Sequence, residues 1–413
     1  MSNTLLTIAQ ITREAMMVLE NELTFAKMVN RSYSDEFAKT GAKIGDTVNV
    51  RKPPRYLGRR TATLSVESSN EGYTPVQLTT QWGQDVSFTT AEKTLSIDDF
   101  RDRFLKPAVA TVANMIDYDG LALYQDVYNA VGTGGTTPAS MDVWLQAGEV
   151  LDNNAVPRGS DRNVVMNPRA SRTLVSADRA LFNPNNVIAE QYRKGNMTDN
   201  SNGFNWSMDQ NIRNHTVGVY AAAASGAGTA VTVTNDTSSG ASLVTGGWTA
   251  ADLLAKGDLI TIAGVYSINP QNRQSTGILQ KFVITAVPTA ASGGGAMTLA
   301  ISPSLVFSGK DQTVYAAASK ASATAVVTVV SGTTGIVTPQ NLAFHKDAFT
   351  LATADLIMPK SVIEGERIRS KKLGMSIRMI TFYDGNNDRE VTRLDVLGGW
   401  ATLRPEMAAR VLG

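Results

Sequence analysis

The chain has 413 residues, with 38 Lys or Arg against 37 Asp or Glu, two His and no Cys, so its formal net charge is +1. That balance argues against a dedicated nucleic-acid binder, which uses a basic excess to displace counterions from phosphates. Its length and 43% hydrophobic content suffice for two or three separate cores, and the lack of cysteine points to folding in a reducing compartment.

The opening "MSNTLLTIAQITRE" has no basic start and no unbroken apolar run, so a soluble product made inside a cell is expected. No stretch reaches the roughly 20 apolar residues that span a bilayer. Over residues 4–29, Leu5, Ile8, Ala15, Leu19, Ala26 and Val29 recur at helical spacing behind a cap at Asn3 or Thr4. Such a helix either packs on its own domain or docks on a partner as an arm.

"DTVNV" then reads as a short strand that the Pro53–Pro54 pair breaks. "TATLSVE" and "PVQLTTQ" alternate around the turn-prone "SSNEGY" and predict a two-stranded ribbon. An isolated ribbon is marginal in water, so this one needs a surface to lie on. Arg51, Lys52, Arg55, Arg59 and Arg60 enter the loop, and Glu67 and Glu71 lie near its tip. Such polarity fits a solvated face, an electrostatic contact between subunits or a contact with nucleic acid.

From Ser96 the pattern turns helical. Pro107 suits a helix's first turn, and Val109, Val112, Ile116, Leu123 and Val127 line one stripe, predicting a helix to about Asn129. Gly120 falls inside it at a cost of about 1 kcal/mol relative to Ala, unless close packing needs it. "DVWLQAGEVLDNN" and "ASRTLVSADRALF" read as helices on either side of the strand-like "RNVVMNP". Residues 217–335 are β-like, with the alternating "KGDLITIAGV" and "KFVITAV" among their strands. The close, "GMSIRMITFYDGNNDREVTRLDVLGGWATLRPEMAARVLG", reads as a hairpin and a further strand.

Residues that could carry chemistry are sparse. His215 and His345, without cysteine, make a poor zinc site and read as ordinary polar residues. "GTGGTTP" and "SGAGTA" lack the Lys-Ser/Thr of a phosphate loop, and no Gly-x-Ser-x-Gly occurs. Asp384, Asn386, Asp388 and Asp395 match positions of a calcium loop, but Arg389 stands where glycine is needed and the flanks have strand periodicity. No metal, cofactor or catalytic residue is expected.

Taken in order, these pieces resemble the major capsid proteins of tailed bacteriophages, with the Hong Kong ninety-seven-like fold. "KGDLITIAGV…FVITAV", "NLAFHKDAF" and "RLDVLGGWATLRPEMAARV" are similar to the short-tailed-phage subgroup that carries an inserted domain. The resemblance implies an α+β chain of a defined order. Residues 1–46 form an N-terminal arm and helix, 47–82 an extended E-loop, and 83–138 a peripheral domain with a long spine helix. Residues 139–216 and 336–375 form an axial domain, 217–335 an inserted β-barrel, and 376–413 the closing peripheral hairpin and C-terminus.

It further implies a non-enzymatic subunit that self-assembles, through heterologous contacts, into the pentamers and hexamers of an icosahedral head. The implied partners are a scaffolding protein, a portal protein, packaged double-stranded DNA held without sequence specificity, and a decoration protein, but no membrane. Assembly in the host cytoplasm and residence in the virion follow. The type member cross-links its shell through an E-loop lysine. Here the stretch between Lys52 and Lys93 holds only arginine as a basic residue, so no covalent cross-link is expected. A metal-dependent hydrolase and a β-rich adhesin or tail component are the alternatives.

Overall fold

The computed structural model describes residues 8–33, 45–59, 61–64, 66–67, 71–88, 105–177, 201–220, 231–237, 239–289, 295–359, 364–370, 374–384 and 389–413. In chain order they begin with helices α1 (Ile8–Glu22) and α2 (Phe25–Met28), strands β1 (Thr47–Arg51), β2 (Tyr73–Gln77) and β3 (Thr80–Phe88), and helix α3 (Lys106–Leu121). Next come β4 (Ala130–Val131), α4 (Met141–Asn153), β5 (Arg162–Met166), α5 (Pro168–Ala177), β6 (Asn205–Met208) and β7 (Asn214–Thr216). The β-rich middle holds β8 (Thr232–Val233), β9 (Ser239–Gly246), β10 (Leu259–Ile268), β11 (Ser275–Ile284), β12 (Met297–Val306), β13 (Val314–Tyr315) and β14 (Val327–Val329). The chain closes with β15 (Val337–His345), β16 (Phe349–Ala354), β17 (Glu364–Arg369), β18 (Ser376–Asp384), β19 (Arg389–Thr402) and β20 (Ala408–Leu412). This is an α+β chain whose packing divides into two units.

The first unit comprises Met1–Arg51, Tyr73–Leu121 and Phe349–Leu403. Its antiparallel sheet runs β16–β19–β18–β17, with β3 also on β19. The apolar stripe predicted for the first helix is buried at Ala15, Leu19, Ala26 and Val29, where α1 lies against α3 and β17. That helix packs on its own unit. On α3, Val109, Val112 and Ile116 are buried as their spacing requires. The helix stops at Leu121 and tightens into a 3-10 turn over Ala122–Asp126, short of the expected Asn129.

The predicted pairing of residues 61–67 with 75–81 is not what forms. Instead β1 pairs with β2, Thr47 opposite Gln77 through Arg51 opposite Tyr73, and Leu78 is spent on the bonds that follow. Pro53 and Pro54 have no N–H to extend that ladder, and described residues between 52 and 72 form no strand. The expected short helix at Ser96 lies outside the described residues.

The second unit comprises Lys52–Gly72, Ala122–Ala348 and Arg404–Gly413. One mixed sheet runs β4–β20–β15–β5–β6, with β7 on β15. It packs under α4 and α5 around Trp144, Leu151, Phe204 and Trp206. Helix α4 starts on a side-chain cap, Ser140 Oγ accepting from Asp142 N at 3.1 Å. The last strand, β20, pairs with β15, 64 or more residues earlier in the chain, rather than with the β18–β19 hairpin.

The other sheet of this unit runs β13–β10–β11–β12–β9–β8, with β14 also on β10. Hydrogen bonds continue from β8 to the segment entering β14: Val233 N to Ala325 O at 2.9 Å, Thr324 N to Val233 O at 2.8 Å and Val327 N to Val231 O at 2.8 Å. Inward residues such as Leu243, Ile260, Ile262, Phe282, Leu299 and Val327 form one core. Strand β10 bears out the alternation of "LITIAGV" only in part. Leu259 to Ile262 are all buried, because Leu259 faces a second small core of Tyr128, Ala130, Val283 and Leu412.

Candidate functional site

The charged loop is held by its own chain. Lys52 N donates to Gly72 O at 2.7 Å and closes its base. Arg55 Nη2 lies 3.8 Å from Glu406 Oε1, a half-exposed pair worth at most about 1 kcal/mol. Glu67 turns back on the loop and accepts from Leu57 N at 2.9 Å and Gly58 N at 3.1 Å. Arg59 Nη1 donates to the carbonyls of Thr61 at 3.1 Å, Ala62 at 2.8 Å and Thr63. Arg51 ends β1 opposite Tyr73, and Arg51 and Glu71 are both exposed. Arg60 lies outside the described residues.

Two features of this loop escaped sequence reasoning. Its apolar side chains point outward: Leu64 is 75% and Val66 83% exposed, and Tyr56 and Leu57 are more than half exposed. Exposed apolar residues of this kind in one loop are available for contact with a partner. The other feature is Arg273, in the tip between β10 and β11, whose Nη2 donates to Tyr56 O at 2.8 Å. Nothing local in "SINPQNRQS" signals that contact.

Beneath the β-rich middle sits a buried polar pin, built from the "KGD" that leads into β10. Asp258 is fully buried, and its Oδ2 accepts from Ala255 N at 2.7 Å and Gly218 N at 3.0 Å. Oδ1 lies 2.8 Å from His215 Nε2, which must donate because a carboxylate only accepts. Tyr124 Oη lies 3.2 Å from the other ring nitrogen, Nδ1. Gly257 has φ +96°, and a Cβ there would lie 3.3 Å from both His215 Cε1 and Gln125 Cγ. The positive φ favours glycine here, and an added Cβ would make a tight contact that a small side-chain shift could relieve.

Arg410 of β20 completes the pin. Its Nε donates to Val127 O and its Nη1 to Gly257 O, each at 2.7 Å, and its guanidinium sits 5.4 Å from the centre of the Tyr124 ring. Burial pushes the Arg410 guanidinium down to about 10 and the Tyr124 phenol up, since both charged forms lose hydration there. An acid–histidine–hydroxyl chain of this kind resembles a catalytic relay in outline. Here all three groups are buried and spent on each other, so the arrangement ties segments together.

The other candidate chemistry dissolves in the same way. His345 Nδ1 accepts from Asp347 N at 3.3 Å. Asp395, the last residue of the calcium-like run, is buried on β19 and bonded by Arg378 Nη2 at 2.6 Å and Arg393 Nε at 2.8 Å. Its flanks form the β18–β19 hairpin, as their periodicity predicted. On α3, Asp117 accepts from the backbone at the start of α2 and Asp119 Oδ2 from Trp82 Nε1 at 2.8 Å. Among the described residues, no three His, Asp or Glu are placed to hold a metal, and no helix is long and apolar enough to cross a membrane.

A groove of about 670 Å³ beside α4 is lined by Leu145, Glu149, Asp152, Arg158, Arg162 and Phe204. Arg162 Nη2 and Arg158 Nε bond Asp152 at 2.8 and 3.0 Å, which draws that carboxylate below its ordinary range. The charges of Asp152, Arg158 and Arg162 are therefore paired within the chain.

The comparisons with known proteins place the chain among structural proteins of the capsid class rather than enzymes. The chain belongs to the P22 coat protein family: the model described as "P22 coat protein - gene protein 5" matches residues 1–413. It is a phage major capsid protein, a component of the virion shell. A "Major capsid protein" of Acyrthosiphon pisum secondary endosymbiont phage 1 is 20% identical over 413 residues, covering 95% of this chain and 94% of that one. Among solved structures, one of Mycobacterium phage Che8 is 12% identical, covers 94% of this chain and 90% of its own, and has a TM-score of 0.48. The asymmetric unit of the bacteriophage PhiM1 mature capsid is 10% identical, with coverage of 89% and 82% and a TM-score of 0.39.

Proposed function

We propose that this coat protein builds an icosahedral head from pentamers and hexamers, assembling around a scaffolding protein in the host cytoplasm. A portal protein occupies one vertex, and double-stranded DNA fills the shell without sequence-specific contact. Ring contacts of this kind are heterologous, one patch meeting a different patch on the next copy. Each can be weak, because a copy in the lattice engages several neighbours at once. A net charge of +1 suits a wall that encloses DNA without gripping it.

The same reading assigns a Hong Kong ninety-seven-like plan, with the arm, E-loop, peripheral, inserted and axial segments set out above. Residues 217–335 act as an inserted β-barrel. The hydrogen bonds that return from β8 to the start of β14 support closure, since a closed sheet leaves no unpaired edge. The loop charges, Arg51, Lys52, Arg55, Arg59, Arg60, Glu67 and Glu71, serve as contacts to neighbouring copies or to a decoration protein.

The observation that carries the reading is the full-length match to a coat protein family. Electron microscopy of the protein expressed with and without its scaffolding protein tests it. Closed shells with five- and six-fold clusters are expected with the scaffold. A population of single subunits under both conditions would overturn the proposal.

A further inference from the structure

We infer that the described part of the loop between residues 52 and 72 is shaped on its own chain before copies meet, with Arg273 as the positioning residue that holds it. An unsupported loop of that length would sample many conformations, and each contact with a neighbour would first have to order it. Three independent attachments oppose that freedom here. Arg273 Nη2 holds the Tyr56 carbonyl at 2.8 Å, Glu406 faces Arg55, and Lys52 N closes the base on Gly72 O.

Within the loop, Glu67 takes two successive amide protons, at Leu57 and Gly58, and Arg59 gathers three carbonyls. These bonds use polar groups that would otherwise seek water, and they leave Tyr56, Leu57, Leu64 and Val66 facing out. Arg273 itself sits at φ +58°, a conformation that side chains other than glycine seldom adopt. Its tip is fixed by Arg273 N donating to Asn269 O at 2.8 Å and by Asn269 Oδ1 accepting from Gln271 N at 2.9 Å. A rigid tip makes the guanidinium a fixed point for the loop. The β-rich segment therefore has a second role, as a rest for the loop, which rests on the reading of that loop as a contact between copies.

Hydrogen exchange on the full-length, unassembled chain tests the idea directly. The amides of Leu57 and Gly58 should exchange well below free-peptide rates. In Arg273→Ala they should exchange about tenfold faster, the loss expected for one charged hydrogen bond, while β11 and β12 stay as protected as before. Glu67→Ala, which leaves the β-rich segment untouched, should speed the same two amides. Free-peptide rates in the parent chain, or unchanged rates in both variants, would overturn the inference. Scaffold-directed assembly of Arg273→Ala is a separate readout. A loosened loop with normal assembly kinetics would leave the clamp standing and remove the loop from the subunit interface.

Discussion

Gly120 of α3 touches the indole of Trp400: a Cβ at this glycine would lie 2.5 Å from Cζ2 and 2.8 Å from Cε2 and Cη2. Glycine inside a helix costs about 1 kcal/mol relative to alanine, and here the close approach explains its presence. The same indole stacks on Phe25, centroids 5.3 Å apart, so the N-terminal segment and α3 meet on one ring.

Gly120→Ala should therefore destabilise the chain by about 1–3 kcal/mol, overpacking outweighing the gain in helix propensity. Urea unfolding of the unassembled subunit measures this. A variant as stable as its parent would show that Trp400 moves aside freely.

Asp117 is buried on the neighbouring turn and accepts from Thr24 N at 2.6 Å, Ala26 N at 2.9 Å and Phe25 N at 3.3 Å. Asparagine offers one acceptor oxygen and turns an N–H₂ toward those donors. Asp117→Asn is expected to cost about 2–3 kcal/mol and to raise amide exchange at residues 24–26, at the start of α2, before that of α3. Unchanged protection there would contradict the role assigned to this carboxylate.

Asp258 collects two backbone amides and His215 in a fully buried position. Asp258→Asn should cost about 3 kcal/mol, because a donor then faces a donor with no water to intervene. Tryptophan fluorescence during thermal unfolding reports it, through the buried Trp248 of the same β-rich segment. Retention of the parental transition would show that the pin is dispensable.

Asp209 presents the opposite case. Burial pushes its carboxyl above the ordinary range, and its buried Oδ2 has no hydrogen-bond partner among the described residues. Its folded value lies above its unfolded one, so the protonated form favours the fold and that contribution is lost as pH rises through the folded value. Asp209→Asn keeps an oxygen for Asn211 N, now 2.8 Å from Oδ1, and removes the charge. It should be about 1 kcal/mol more stable than the parent at neutral pH, an advantage that shrinks on acidification. Stability curves at several pH values would sink the idea by showing a constant difference or a loss.

Mature particles should run as monomers on denaturing gels. Between Lys52 and Lys93 the sequence offers arginine as its only basic residue, and a guanidinium does not perform the amine chemistry of an isopeptide bond. A ladder of covalent oligomers would refute this.

Local pattern determined much of what formed. The stripe of Val109, Val112 and Ile116, the cap at Ser140 and the hairpin flanking residues 385–388 follow from periods of 3.6 and 2 and from side chains a few residues apart. The resemblance to capsid proteins was legible too, because runs such as "NLAFHKDAF" stand in order along the whole chain. Periodicity says which face of a strand is buried but not which strand lies beside it, and so the ribbon was misjudged. "TATLSVE" alternates well, yet β1 took β2 as its partner.

The decisive polar contacts were out of reach for the same reason. His215 meets Asp258 across 43 residues, Arg273 meets Tyr56 across 217 and Arg410 meets Val127 across 283. Sequence alone determined that this chain resembles coat proteins, since each segment's preference is written in neighbouring residues. Only the tertiary structure decided what fastens them, because a buried donor takes whichever acceptor the folded backbone brings within 3 Å, and distance along the chain carries no trace of that choice.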